Sequence, residues 1–378
     1  MVEKDSGLYV PAYFGRFLDS LASEVENLIL FSHLPEEVDF NRNEYRLKEA
    51  NIQVVYLPKK GSFPHQLLVQ RQVQKIFKKN AEKFDVLLMR GPTPLMPAIG
   101  EALSDKPKAL LMVGDYLSGF DSIEQPAWRK FLIKCYWQYI YRRIFKICES
   151  SLVIPNSEKL REQFEKSAEK IVMTHTTSLT ENDLFKRSDT CQNQQIKLLY
   201  TGRVVAEKGL INVLTALEKL RSDGFELSFQ VIGWSDQKDD FLKLFLKEID
   251  QKKLNQYVSV VGYQPIEELN EVYNRADIFV NASTSDFEGF PRTIWEAMAH
   301  SLPVVATGVG SIPEYIGDFV NLVPPKNADL LADAIQEVIV NGEYRREIIE
   351  KGFQLASDVT LEKQTGAMVK EIENYAKR

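Results

Sequence analysis

Residues 281–311 read Asn281-Ala-Ser-Thr-Ser-Asp-Phe-Glu288-Gly-Phe-Pro-Arg-Thr-Ile-Trp-Glu296-Ala-Met-Ala-His-Ser-Leu-Pro-Val-Val-Ala-Thr-Gly-Val-Gly-Ser311, the most informative pattern in the chain. The pattern predicts a strand end, a loop, a helix, a buried strand over Leu302–Ala306 and a Gly-rich loop. Glu288 lies in the predicted loop and Glu296 about two turns into the helix. Two carboxylates placed in this way can hold two parts of one ligand, with the N–H groups of the helix N-terminus between them. A sugar nucleotide, with hydroxyls at both ends and a diphosphate in the middle, suits such a site.

Length and composition are those of a globular protein with two domains. The chain has 378 residues and an apolar content of 44%, which is ordinary for this class. Apolar runs stay shorter than the about 18 residues of a membrane helix, and the N-terminus lacks an apolar secretory segment. Cys135, Cys148 and Cys191 are odd in number and lack metal-ligand spacing, which favours free thiols in a reducing cytosol. We therefore expect a cytoplasmic protein.

The charge is divided unevenly along the chain. Residues 1–185 carry 25 Lys and Arg against 24 Asp and Glu, whereas the remainder carries 22 against 29. A nearly neutral half beside an acidic half argues against general nucleic-acid binding.

Short apolar runs alternate with amphipathic segments, which is typical of α/β folds with parallel sheets and crossover helices. In the first half the predicted strands are Asn27–Phe31, Ile52–Leu57, Phe84–Met89, Lys108–Val113 and Ser151–Pro155. In the second half they are Lys197–Tyr200, Leu227–Ile232, Val258–Val261, Ile278–Val280, Leu302–Ala306 and Val320–Val323. The polar, aperiodic segment 186–195 is predicted to link two Rossmann-like halves.

Segment 281–311 resembles the donor site of the retaining glycosyltransferases of family 4, which have the GT-B fold. The resemblance rests on the Glu-x7-Glu pair and on the runs Glu288-Gly-Phe-Pro291 and Glu296-Ala-Met-Ala299. It implies two Rossmann-like domains whose parallel sheets face a central cleft, an acceptor-side domain over 1–185 and a nucleotide-sugar domain over 196–355. It also implies that segment 356–378, a helix after a loop at Ala356-Ser357, crosses back to the first domain.

Arg203 and Lys208 follow the first strand of the second half, after Gly202, which permits a tight turn. A guanidinium and an ammonium group there suit a diphosphate whose negative charge grows as a glycosidic bond breaks. The resemblance implies that this pair neutralises the leaving nucleoside diphosphate. Two solvated surface cations near a turn are the alternative.

Around Glu288 the resemblance implies contacts to the donor. The Glu288 carboxylate would bind hydroxyls of the donor sugar, and Gly289 and Phe290 would offer it backbone N–H groups. Glu296 would accept hydrogen bonds from the two ribose hydroxyls.

The helix start and two further strand ends complete the expected donor site. Pro291 suits a helix start, and the first helical turn that would meet the phosphates consists of Arg292, Thr293 and Ile294. Gly233 is predicted near the donor, and Tyr263 or Gln264 near the base. Turn residues without a ligand are the alternative for these three positions.

The first half offers weaker candidates. The run Tyr13-Phe-Gly15-Arg-Phe17 resembles a Gly loop that closes over the donor, although only Gly15 remains of the usual glycine pair. Asp115 stands where many members of the family carry a His, and it would either orient a sugar hydroxyl as a catalytic group or cap a loop. Arg90, at a predicted strand end, would hold an acceptor phosphate or carboxylate. A purely structural role is the alternative.

We expect neither a metal nor a cofactor besides the nucleoside diphosphate sugar as co-substrate. The chain has no Asp-x-Asp sequence, and its four histidines lack metal-ligand spacing. Cationic side chains and a helix N-terminus can serve the diphosphate instead. The run Gly308-Val-Gly310-Ser-Ile-Pro313 imitates a dinucleotide fingerprint but lacks its third glycine and the acidic residue about 20 positions on, which argues against a nicotinamide enzyme.

Residues 126–146 predict a helix rich in aromatic and cationic residues. Six Lys and Arg occur in it before the first acid, Glu149. Basic amphipathic helices with Trp and Tyr bind the interface of anionic membranes, which would place the protein on the inner face of the plasma membrane. The alternative is a crossover helix whose aromatic side chains pack on the sheet.

The leading hypothesis is a retaining glycosyltransferase that moves a sugar from a nucleoside diphosphate sugar, with uridine favoured, to a hydroxyl of a saccharide or lipid-linked saccharide in surface polysaccharide synthesis. Its candidate catalytic residues are Arg203, Lys208, Glu288 and Asp115. The alternatives are a sugar-nucleotide epimerase of the same shape and a non-catalytic sugar-nucleotide-binding partner protein.

Overall fold

A computed structural model describes residues 2–4, 7–33, 45–59, 61, 63–116, 126–235, 240–286 and 289–378. The chain forms two compact units, Met1–Ser178 with Leu361–Arg378, and Leu179–Thr360. Segment 186–195, predicted as a linker, lies inside the second unit.

The first unit is built from short sheets covered by helices. Its strands are β1 Val2–Lys4, β2 Gly7–Val10, β3 Leu28–His33, β4 Tyr45–Arg46, β5 Ile52–Leu57, β6 Leu87–Gly91, β7 Lys108–Met112, β8 Leu152–Pro155 and β9 Lys170–Ile171. The helices that accompany them are α1 Ala12–Ser23, α2 Phe63–Asn80, α3 Met96–Ala102, α4 Ala127–Cys148 and α5 Glu158–Phe164. Strands β6-β7-β8-β9 form one parallel sheet, β3 pairs with β5 in parallel, and β1-β2-β4 is antiparallel.

The second unit has a single parallel sheet among its described residues. Its strands are β10 Ile196–Thr201, β11 Leu227–Ile232, β12 Val258–Val261, β13 Ile278–Asn281 and β14 Val304–Ala306. Its helices are α6 Leu210–Ser222, α7 Phe241–Gln251, α8 Ile266–Arg275, α9 Arg292–Ala299, α10 Ile312–Ile316, α11 Ala328–Val340 and α12 Gly342–Asp358. The strand order is β12-β11-β10-β13-β14, and Leu198, Phe229 and Phe279 are fully buried in the central strands. Because both faces of the sheet are buried, the sequences of these strands are continuous apolar runs.

The last helix, α13 Leu361–Ala376, groups with the first unit. Its buried residues Met368, Val369 and Ile372 join one apolar cluster with residues of α1, β7 and β8, such as Leu21 and Leu111. The loop predicted at Ala356-Ser357 was wrong, because α12 continues to Asp358 and the Ser357 hydroxyl donates back to the Phe353 carbonyl at 2.8 Å.

The strand predicted over Val320–Val323 was also wrong. Only Val323 pairs with the sheet, through one bridge to Thr307. Its N–H donates to Ala306 O and its carbonyl accepts from Gly308 N–H, both at 2.9 Å. Pro324 and Pro325 follow at once, and since proline has no N–H they cannot extend the ladder.

Segment 186–195 is anchored to the second unit by two arginines. Arg187 donates to the backbone carbonyls of Asn274 and Ala276, each at 2.9 Å. Arg345, which is 6% exposed, holds Asp189 through two hydrogen bonds of 2.8 and 3.0 Å. These bonds keep the pKa of the Asp189 carboxyl below its usual range.

We expect Arg345→Ala to lower the free energy of unfolding by about 3–5 kcal/mol, because Asp189 and the carbonyls of Val338 and Ile339 lose their buried donor. Lys351→Ala is the matched control in the same helix, since its pair with Glu347 is half exposed and should contribute at most about 0.5 kcal/mol. Urea unfolding of both variants measures the difference. Equal losses in the two variants would contradict the anchoring role.

Candidate functional site

The carboxyl ends of β10 and β11 approach each other through two glycines. Gly202 N–H donates to Ile232 O at 2.9 Å, and Gly233 N–H donates to Val261 O at 3.1 Å. A Cβ atom on Gly233 would collide with the Gly202 carbonyl oxygen. The two turns can therefore meet only because Gly233 carries no side chain.

The loop that leaves β10 is bonded to the loop that leaves β13. Gly209 has a φ of 64° and lies against the Ala282 carbonyl, a conformation and a contact that favour glycine. Thr284 N–H donates to Glu207 O at 2.8 Å. Because β10 and β13 are neighbours in the sheet, these bonds fix the segment that carries Lys208.

The two predicted phosphate-binding cations lie in this loop, in different environments. Lys208 ends a short 3-10 turn, Ala206–Lys208, and is 9% exposed. The Arg203 side chain is about half exposed and lies 4.0 Å from the Glu207 carboxylate. Its backbone is held, because the Tyr200 hydroxyl donates to Arg203 O at 2.7 Å. Lys208 is thus enclosed, whereas Arg203 extends from a fixed backbone into solvent.

Helix α9 begins where the sequence predicts, with Pro291 as its N-cap and Arg292 and Thr293 as its first residues. Ile294 is fully buried, and its N–H donates to Pro291 O at 3.0 Å. Arg292 and Thr293 are half-buried and therefore supply the accessible part of the first turn.

Contacts between aromatic rings stabilise the start of α9. Phe290 packs against Trp295 and Tyr315, with ring centroids 4.3 and 4.6 Å apart. A Cβ atom on Gly289 would meet nothing within 4 Å among the residues that the structure describes, so the backbone is open on that side. Glu288 lies outside the described residues.

Glu296 is held by a residue that the sequence analysis missed. The Tyr273 hydroxyl donates to Glu296 Oε2 at 2.8 Å and lies 2.6 Å from Thr201 Oγ1. Tyr273 is 1% exposed, and burial together with the Glu296 carboxylate raises its pKa well above its usual value. Tyr273 therefore stays a donor and orients one carboxylate oxygen of Glu296, while Thr201 donates to Tyr273 from the end of β10.

His300 packs beneath Tyr273 and is not available as a catalytic base. The two rings are stacked with centroids 5.2 Å apart, and His300 Nδ1 lies 2.7 Å from Asn274 Oδ1. Burial lowers the pKa of His300 to about 4. The imidazole is neutral near pH 7 and serves as packing for the tyrosine.

Tyr263 and Gln264 follow β12, the strand next to β11. Tyr263 is about half exposed, whereas Gln264 Oε1 is buried and has no hydrogen-bond partner among the described residues. A buried amide oxygen without a donor is unfavourable, so Gln264 is the better candidate of the two for a group that gains a partner with a ligand.

The three candidate residues of the first unit, Gly15, Arg90 and Asp115, lie in three different environments. Gly15 was predicted in a loop, but it lies inside α1, and a Cβ atom there would collide with the Tyr45 ring. Arg90 lies on β6 with its guanidinium 5.5 Å from the Phe14 ring centroid. Asp115 accepts a hydrogen bond of 2.9 Å from the Tyr141 hydroxyl, so Tyr141 of α4 fixes it in place.

The described residues include no group of three or more His, Cys, Asp or Glu arranged to hold a metal ion. Among the helices in the same ranges, none combines the length and apolarity that crossing a bilayer requires.

The comparisons with known proteins agree with this architecture. Residues 182–355 match the family model of glycosyl transferases group 1. The amylovoran biosynthesis glycosyltransferase AmsK of Erwinia amylovora is 33% identical over 171 residues, which cover 44% of this chain and 41% of the relative. The putative colanic acid biosynthesis glycosyltransferase WcaL of Salmonella typhimurium is 27% identical over 157 residues, which cover 40% of this chain and 38% of the relative. The chain thus matches about two fifths of the length of these curated relatives.

Solved structures match nearly the whole chain. The Anabaena HepE structure in complex with UDP and glucose has a TM-score of 0.69 at 18% identity and covers 96% of this chain and 95% of that one. Sucrose-phosphate synthase of Thermosynechococcus elongatus has a TM-score of 0.69 at 16% identity, with coverage of 97% and 96%.

Residues 182–355, in the second unit, are therefore similar to the glycosyl transferases group 1, and the predicted GT-B fold is confirmed. The narrower assignment to family 4, and the Glu288/Glu296 pair on which it rests, stay predictions.

We expect His300 to make the second unit less stable in acid. The folded protein holds the imidazole neutral down to pH about 4, whereas the unfolded chain binds a proton below its ordinary pKa of about 6.5. The stability contributed by neutral His300 is therefore full above pH about 6.5 and is lost as the pH falls toward 4, by at most about 1.4 kcal/mol per pH unit. Unfolding free energies of the wild type and His300→Gln, measured across this range, should converge as the pH falls. Parallel curves would show that His300 does not titrate in this way.

Proposed function

We propose that the protein transfers a sugar from a nucleoside diphosphate sugar to a hydroxyl acceptor, with retention of configuration. One observation supports this proposal above the others. Lys208 follows β10 and is enclosed, and Glu296 follows β13 and is oriented by Tyr273. Strands β10 and β13 are neighbours in one parallel sheet. The carboxyl ends of such strands are where α/β folds bind ligands.

In the proposed donor complex the diphosphate meets Lys208, Arg203 and the N-terminus of α9. A lysine that is already enclosed gives up little hydration when the phosphate binds, and its charge is in place before the glycosidic bond breaks. Arg203 contributes a forked guanidinium from a fixed backbone. Together they stabilise the negative charge that grows on the leaving group, with no cation required.

The nucleoside and the sugar bind on either side of this diphosphate. Glu296, whose carboxylate Tyr273 orients, accepts from the two ribose hydroxyls. Gln264 provides a buried amide oxygen for the base. Glu288 and the open backbone at Gly289 contact the donor sugar. Uracil is the proposed base, since HepE was solved with UDP and glucose.

We propose same-face substitution through an oxocarbenium-like state, in which the departing phosphate takes the proton of the acceptor hydroxyl. The proposal requires no carboxylate nucleophile of the kind that retaining glycosidases use. The proposed acceptor is a saccharide, free or carried on a lipid, in surface polysaccharide synthesis. The names of the amylovoran and colanic acid relatives support this choice.

Incubation with a panel of nucleotide sugars, with and without saccharide acceptors, separates this function from its alternatives. A transferase releases nucleoside diphosphate, slowly with water and faster with the right acceptor. An epimerase interconverts the sugar without releasing nucleotide. A binding partner protein does neither, and a protein that leaves every donor unchanged would overturn the proposal.

We expect Lys208→Ala to lower kcat by about 100-fold or more, because a preorganised charge next to the leaving group is lost. Arg203→Ala should have an effect in the same direction. Lys243→Ala, an exposed lysine of α7 that pairs with Asp240, is the matched control and should leave kcat unchanged. Steady-state release of nucleoside diphosphate measures all three variants, and full turnover in both Lys208→Ala and Arg203→Ala would place the phosphates elsewhere.

We expect activity to survive excess EDTA, since Lys208, Arg203 and the α9 N-terminus already serve the diphosphate. The measurement is the initial rate before and after dialysis against the chelator. Complete loss of activity that Mg²⁺ or Mn²⁺ restores would show that the proposed site is incomplete without a metal.

A further inference from the structure

Helix α4 exposes a continuous apolar stripe to solvent. Trp128, Phe131, Leu132 and Tyr139 are 67%, 66%, 56% and 53% exposed, and Cys135 between them is also exposed. These five residues follow the spacing i, i+3, i+4, i+7 and i+11, so they lie along one face of the helix. We call them the α4 stripe.

The opposite face of α4 already packs in the core of the first unit. Trp137, Ile140, Tyr141 and Ile144 are at most 2% exposed and belong to the main apolar cluster of that unit. A crossover helix needs only this one apolar face. The α4 stripe lies outside this core and leaves a large apolar surface in water, which is a sign of an interaction site.

Cations flank and extend the α4 stripe. Arg129, Lys134, Arg142 and Lys146 are exposed, and the helix contains no Asp or Glu from Ala127 to Cys148. Arg142 and Lys146 continue the line of the stripe over the last two turns. Arg143 is different, because it is bound to Glu101 through hydrogen bonds of 3.0 and 2.6 Å.

We propose that the α4 stripe docks the protein on an anionic phospholipid membrane. Trp, Phe, Leu and Tyr side chains would enter the interfacial region, where aromatic rings with polar edges are favoured. The exposed cations would lie over the lipid phosphates and strengthen the contact. A second copy of the chain fits this surface poorly, since two stripes placed face to face would set cations against cations with no acid on either helix to offset them.

The docking face and a candidate acceptor residue are connected through α4 itself. Tyr141, on the core side of the helix, holds Asp115 at 2.9 Å. Trp137 stacks on Tyr116 with ring centroids 4.3 Å apart. A membrane that binds the exposed face of α4 would lie about one helix diameter, about 10 Å, from the side of α4 that holds Asp115, a distance that suits an acceptor carried on a lipid. Only this last step rests on the proposed function; membrane docking does not.

Co-sedimentation with vesicles of equimolar phosphatidylglycerol and phosphatidylcholine, without any sugar nucleotide, tests the docking directly. We expect binding at low salt, little binding to pure phosphatidylcholine, and release at about 1 M salt, where the screening length falls to about 3 Å. Arg142→Ser with Lys146→Ser should weaken binding about 30-fold, and Trp128→Ser with Phe131→Ser about 100-fold or more. Lys78→Ser with Lys79→Ser, two exposed lysines of α2, is the charge-matched control and should bind like the wild type.

Cys135 reports whether the stripe itself enters the membrane. Burial raises the pKa of Cys148 to about 12 and that of Cys191 to about 11, so a thiol-reactive, polarity-sensitive fluorophore at neutral pH should label Cys135 selectively. A blue shift on vesicle addition supports docking through α4. The α2 control variant, labelled in the same way, should show the same blue shift as the wild type. Binding without a shift at Cys135, equal binding of all variants, or self-association in place of vesicle binding would each overturn the proposal.

Discussion

The close approach of Gly202 and Gly233 is the constraint on which the candidate site depends. Two neighbouring parallel strands end in turns whose backbones touch, and a side chain at Gly233 would push the turns apart. The loop after β10 is then bonded to the loop after β13 through Glu207 and Thr284. Lys208 and the end of β10 thus owe their positions to backbone contacts, which are in place without a ligand.

The polar groups of the second unit differ in how firmly they are held. Glu296 is oriented by Tyr273, which is braced by Thr201 and packed on His300, so its carboxylate is set before any ligand binds. Lys208 is enclosed, whereas Arg203 is about half exposed on a long side chain. A rigid carboxylate and lysine suit recognition, and a freer arginine can follow a phosphate as its charge changes.

The sequence predicts the local features well and the long-range contacts poorly. Runs such as Leu227–Ile232 are short, apolar and bounded by turn residues, so the strand appears where predicted. The start of α9 follows from Pro291 in the same way. Tyr273 could not be found, because its partner Thr201 is 72 residues away and the two meet only through the strand order. Gly15 shows the reverse error, since a glycine that suggests a loop instead makes room in α1 for the Tyr45 ring.

The grouping of α13 with the first unit has a consequence for synthesis of the chain. The second unit, Leu179–Thr360, is continuous in sequence, whereas the first unit needs Leu361–Arg378 to cover Leu21 and Leu111. As the ribosome proceeds, the second unit is complete before the first can bury this apolar surface. N-terminal domains usually fold first during synthesis, whereas here the apolar cluster around Leu21 and Leu111 stays uncovered until α13 has been made.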